Sequence, residues 1–125
     1  DMTRRPLVTW VGHYITGFDL RFIWQRCVIN GIKPPMKIPY DAKPWGDDVF
    51  DTKTEWSGAG VRGSYSKLDD VLQAFGYEGK GDIDGSKVWD YIQAGRYAEV
   101  LEYNKKDVDD VRLAYHRMKF TGAIA

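Results

Sequence analysis

Two carboxylates and a phenol stand out for chemistry by type and spacing. Asp19 closes the segment Trp10-Val-Gly-His-Tyr-Ile-Thr-Gly-Phe-Asp19, in which a short apolar run meets a glycine and the acid then opens a helix. Far downstream, Tyr103-Asn-Lys-Lys-Asp107 sets a phenol and a carboxylate at i, i+4, on one side of a helix that is continuous there. Asp19 reads either as an acid complementing a helix dipole or as a metal ligand. Asp107 reads as a helix-start acid, as a partner for Lys105, Lys106 or Arg112, or as a second ligand, and Tyr103 alone reads as core. Taken singly, each residue favours its structural reading; the pair of segments is the stronger signal.

Other candidates carry less. His13 follows a strand end and precedes Asp19 by six residues, close enough to contact substrate or act as a base; a satisfied structural histidine is the competing reading. With only His13 and His116 present and no serine nucleophile context, triad hydrolysis is unsupported. Gly58-Ala-Gly60-Val-Arg-Gly63 fits Gly-x-Gly-x-x-Gly, but a dinucleotide site needs an immediate helix and a further parallel strand, so a loop is the default. Asp82-Ile-Asp84-Gly85 lacks the later ligands of a calcium loop and reads as a polar turn. Cys27, mid-helix among apolar neighbours, reads as a small packed side chain. Most of the five tryptophans are expected in the core, with Trp45 the best exposed stacking candidate.

The elements that must position these groups follow from periodicity and punctuation. Leu7 to Val11 reads as a buried strand ending at Gly12, and Phe18 to Asn30 as a helix stopped by Gly31 and Pro34-Pro35. Phe22, Ile23, Cys27 and Ile29 or Asn30 are expected near one face of that helix. Residues 33–48 hold four of the five prolines and read as an extended connection. Asp48 to Trp56 alternates like a second strand. Ser66-Lys-Leu-Asp69 reads as a capping box before a helix bearing Leu68, Val71, Leu72 and Phe75, with Gly76 as its stop. Ser86 is expected to cap a short helix ending near Gly95. Tyr97 to Lys119 reads as helical, with an apolar stripe of Leu101, Val108, Val111, Tyr115 and Met118 and a possible break near Asn104. Two strands make a poor sheet alone, so a missing N-terminal portion or a second copy of the chain is expected to complete it.

Size and charge bound the class. The 125 residues suit one modest domain, here read as a single domain over 1–125. Lys plus Arg (18) equals Asp plus Glu (18), which argues against holding nucleic acid by bulk charge alone. It leaves room for a nuclease whose local positive charge is a bound metal. One cysteine permits no internal disulfide, consistent with a cytoplasmic location, and no run approaches a membrane span.

The segment ending in Phe18-Asp19 resembles the second motif of the proofreading-type 3′–5′ exonucleases, the kind attached to or resembling B-family DNA polymerases. Tyr103-x-x-x-Asp107 resembles their third motif in its tyrosine-bearing (DEDDy) form. Phe50-Asp51-Thr52, Leu68-Asp69 and Lys80-Gly-Asp-Ile-Asp-Gly-Ser86 resemble intermediate segments, so the likeness runs from about Leu7 to Met118. The resemblance implies an α/β, ribonuclease H-like fold, here partial: a small sheet flanked by helices and missing the N-terminal strands. It also implies phosphodiester hydrolysis with two Mg²⁺ or Mn²⁺ ions acting on a 3′ end of single-stranded DNA or other nucleic acid. On this chain, Asp19 and Asp107 become metal ligands, Tyr103 positions the attacking water, and His13, Tyr14 and Phe18 contact substrate. Two departures matter. Tyr14 stands where the family's second motif usually has Asn, and a phenol cannot reproduce an amide's paired donor and acceptor. The first motif, Asp-x-Glu, occurs nowhere in the sequence. The expectation is therefore weak or no nuclease activity from this chain alone, self-association through the incomplete sheet, and, as the alternative, a degenerate module that binds protein or single strands.

Overall fold

The computed structural model describes residues 8–43, 45–58, 67–78 and 85–121. The chain divides into two compact units, Asp1–Ser64 and Tyr65–Ala125.

In the first unit, strand β1 (Trp10–Gly12) lies parallel to β2 (Val49–Asp51), with Trp10 opposite Val49 and Gly12 opposite Asp51. Parallel neighbours need a crossover, and the chain supplies one through helix α1 (Leu20–Asn30) and the proline-rich connection that follows it. The expected strand is seen from Trp10; Leu7 lies outside the described residues. Helix α1 ends where the sequence predicts, with Gly31 left-handed after Asn30. Its beginning differs. Instead of starting at Phe18, the chain makes a π-helical turn over Ile15–Asp19, and the Leu20 amide then donates to the Ile15 carbonyl. The buried row of α1 is Leu20, with Trp24 and Cys27 packed behind it, against Ile15, Ile38 and Val49. Phe22, Ile23 and Ile29, expected inside, are exposed, Ile29 by 69%. Cys27 is the packed thiol its neighbours suggested.

The second strand is shorter than its alternation implied. It stops at Asp51, and Thr52–Ser57 form helix α2. The cause is the Asp51 side chain, which accepts from the Lys53 and Thr54 amides and so caps a helix at the position where a strand would continue.

In the second unit, α3 (Leu68–Ala74) and α4 (Val88–Gln93) both pack on the long helix α5 (Tyr97–Met118). Val71, Leu72 and Ala114 are its buried centre. The Arg117 guanidinium donates to the Phe75 carbonyl at 3.4 Å and lies over the rings of Phe75 and Tyr77, tying the end of α3 to α5. Ser66, expected to open the capping box, lies outside the described residues; Lys67 precedes α3, and because a lysine side chain has no acceptor only the return bond from its amide to Asp70 forms. Two sequence expectations are corrected here. Ser86 lies inside a 3₁₀ turn (Gly85–Lys87) and α4 starts after it without a side-chain cap. Leu101 and Val108 are exposed, because the packed stretch of α5 lies further along, around Ala114. Three tryptophans are also outside the core: Trp45 as expected at 81% exposure, and Trp56 and Trp89 against expectation. Of the two glycine- and aspartate-rich loops, residues 59–66 and 79–84 lie outside the described residues.

Asp51→Asn would turn an amide NH₂ toward donors already aimed at the carboxylate. Losing charged hydrogen bonds and a helix cap together should cost about 2–4 kcal/mol. Urea unfolding measures this, and an unchanged midpoint would show that the bonds carry no weight.

Candidate functional site

The loop after β1 is shaped by a close approach. A Cβ on Gly12 would come within 2.1 Å of the Ile15 side chain, so only glycine lets the chain leave the strand here. The next turn is held by Asp51, which is 4% exposed. Its Oδ1 accepts from the Tyr14 amide at 2.8 Å, and its Oδ2 accepts from the Thr16 amide at 3.0 Å and the Thr16 hydroxyl at 2.6 Å. With the two α2 amides, five donors converge on one carboxylate. Sequence reasoning had Asp51 only as part of an intermediate family segment. The signal that could have found its role is an acid directly before Thr-Lys-Thr-Glu, a helix-start pattern.

Beside it, Thr52 is fully buried and donates its hydroxyl to the Gly12 carbonyl at 3.3 Å. The same hydroxyl lies 2.9 Å from Nδ1 of His13, which ties the imidazole to the start of α2. Tyr14 adopts the left-handed conformation at φ 63°, uncommon for a bulky residue. Its ring lies over Gly17, where an added Cβ would meet the ring at 2.2 Å, and the Lys53 ammonium sits 3.7 Å from the ring centroid. Phe18 is 56% exposed and stacks on Phe22, centroids 5.4 Å apart. Asp19 is the last residue of the π turn, helical at φ −61°, and its carboxylate makes no capping bond to α1. The first unit thus gathers His13, Tyr14, Phe18 and Asp19 on one turn.

In the second unit α5 runs unbroken through Asn104, so Tyr103 and Asp107 share a face. They line a cavity of about 180 Å³ with Lys67, Asp69, Lys106 and Asp110, backed by Leu68. Three carboxylates thus meet two ammonium groups there. Lys106 donates to Asp110 at 2.8 Å. That hydrogen bond holds the Lys106 amine above its ordinary value against partial desolvation, and the field of Asp110, Asp69 and Asp107 adds to it. Sequence reasoning had Lys106 only as a possible partner of Asp107 and did not assign Asp110 a role; their i, i+4 spacing was the available signal. Among the described residues no group of three or more His, Cys, Asp or Glu side chains is arranged to hold a metal.

Because its folded value is raised, the Lys106 ion pair helps below the ordinary lysine value of 10.5 and is lost as pH climbs through the higher folded one. Asp110→Asn should move the Lys106 titration back down toward 10.5, read from its side-chain carbon shift by NMR. A titration unmoved by the substitution would mean Asp110 is not its main partner.

Against known proteins, one finding bears on the whole chain. A family model described as a predicted 3′–5′ exonuclease related to the exonuclease domain of PolB matches residues 1–124. Neither a curated protein nor a solved structure matches. With Phe18-Asp19 on the turn entering α1 and Tyr103 and Asp107 on one face of α5, the chain belongs to this family of predicted 3′–5′ exonucleases.

Proposed function

We propose that this chain binds the 3′ end of single-stranded DNA or a similar nucleic acid, and that by itself it cleaves the terminal phosphodiester weakly or not at all. The observation that carries the reading is the family match over residues 1–124 together with the shared cavity of Tyr103 and Asp107. Asp19 and Asp107 are hard oxygen donors of the kind Mg²⁺ or Mn²⁺ prefers, and each would supply one carboxylate. Tyr103 would orient the attacking water. Such ions would supply charge stabilisation and an activated water. The ligand set does not reach that requirement here. Asp-x-Glu is absent from the sequence, and no group of three ligating side chains forms among the described residues. Asp51 is no substitute, since five donors already engage it.

Tyr14 favours a second reading, a catalytically degenerate module that keeps the binding surface. It replaces an amide with a phenol and commits its ring to Gly17 and Lys53.

Single-stranded DNA incubated with the pure chain and Mn²⁺ should be degraded slowly or remain intact. Rapid digestion that Asp19→Ala abolishes would overturn the weak-activity reading. Calorimetric titration with Mn²⁺ separates the two readings. Binding tighter than millimolar, weakened in Asp19→Ala and Asp107→Ala, supports metal-dependent chemistry; no such binding alongside retained oligonucleotide affinity supports the module.

A further inference from the structure

Lys53 belongs to no motif of the sequence, yet its placement is tightly specified. The Lys53 and Tyr14 amides both donate to Oδ1 of Asp51, at 3.0 and 2.8 Å, so one buried oxygen fixes the two backbones side by side. From there the Lys53 ammonium reaches the Tyr14 ring, 3.7 Å from its centroid. Among the described residues Lys53 makes no ion pair. Its charge is steadied by an aromatic face, with no carboxylate among the described residues paired to it. A cation–π contact of this kind is worth about 0.5–1 kcal/mol at an exposed site, enough to orient a lysine while leaving its charge available to an anion.

The surroundings suit a polyanion with bases. Tyr14 is 47% exposed, and its ring rests on Gly17, two residues before Asp19. Exposed Phe18 lies between them in sequence. We infer that Lys53, seated on the Tyr14 ring, is a phosphate-binding residue at the mouth of the His13–Asp19 turn, gripping the backbone of a single-stranded nucleic acid. This rests on the nucleic-acid reading proposed above and adds a residue that positions the strand. A seated lysine acts here as a point charge, so it contributes affinity without sequence preference. With no net charge on the chain, one such fixed cation accounts for a measurable share of binding.

The test is fluorescence anisotropy of a labelled single-stranded oligodeoxynucleotide with the full chain, without divalent ions, across a salt series. Lys53→Met keeps the stem and removes the charge. It should weaken binding about five- to tenfold at low salt and reduce the slope of log affinity against log salt by about 0.7, the value for one single-strand phosphate contact. Lys53→Arg should restore both. If Lys53→Met loses its circular dichroism signature, Lys53→Gln takes its place: the charge goes, a polar stem stays, and affinity at low salt must fall. Wild-type binding with an unchanged slope in the folded variant overturns the role of Lys53 alone. No wild-type binding overturns it together with the nucleic-acid reading.

Discussion

The first unit depends on one buried carboxylate. Removing a carboxylate from water is costly unless hydrogen bonds replace the lost hydration, and Asp51 replaces it with hydrogen bonds, forming no ion pair among the described residues. Four backbone amides and one hydroxyl point at its two oxygens. Two of those amides start α2; the other donors belong to Tyr14 and Thr16, in the turn after β1. The same side chain therefore ends β2, begins α2 and fixes the turn on which His13, Tyr14, Phe18 and Asp19 sit. Tyr14 holds its left-handed backbone because its amide is anchored, and surroundings that over-determine a conformation are what allow such strain to persist.

Asp51 and Asp19 make an instructive pair. Both stand at the entrance of a helix, although the sequence reading placed only Asp19 there and set Asp51 within a strand. Asp51 is saturated by donors and buried, which makes it part of the scaffold. Asp19 is the last residue of the π turn, and its carboxylate makes no capping bond to α1. Irregular turns of this type are frequent where function is found, because they re-aim a side chain without breaking the helix that carries it.

In the second unit the acids of the cavity are partly offset by resident lysines. Asp69, Asp107 and Asp110 share their cavity with Lys67 and Lys106, and Lys106 is committed first to Asp110. A resident ammonium lowers the negative potential that would draw a divalent cation to Asp107. The face of Tyr103 and Asp107 is therefore built to the family's spacing but carries its own cation, which fits the proposal of binding with little hydrolysis.

The sequence by itself determined the punctuation and the local pairings. Gly31 ends α1, residues 33–43 and 45–48 are irregular as the prolines implied, and the i, i+4 spacing of Tyr103 and Asp107 brings them to one face once α5 is continuous. These are short-range properties, set by glycine, proline and helical period, and they are readable wherever they occur. The motif spacing likewise carried the family. Only the tertiary structure decided which acid is scaffold and which face of α1 is core. The donors that bury Asp51 lie 35 and 37 residues upstream of it, a separation no local pattern encodes. On α1, Leu20 and Trp24 point inward while Phe22 and Ile23 face out, because the partners Ile38 and Val49 come from distant parts of the chain that a periodicity of 3.6 does not encode. The seat of Lys53 on Tyr14 has the same origin, because two residues 39 apart in sequence meet only through the shared oxygen of Asp51.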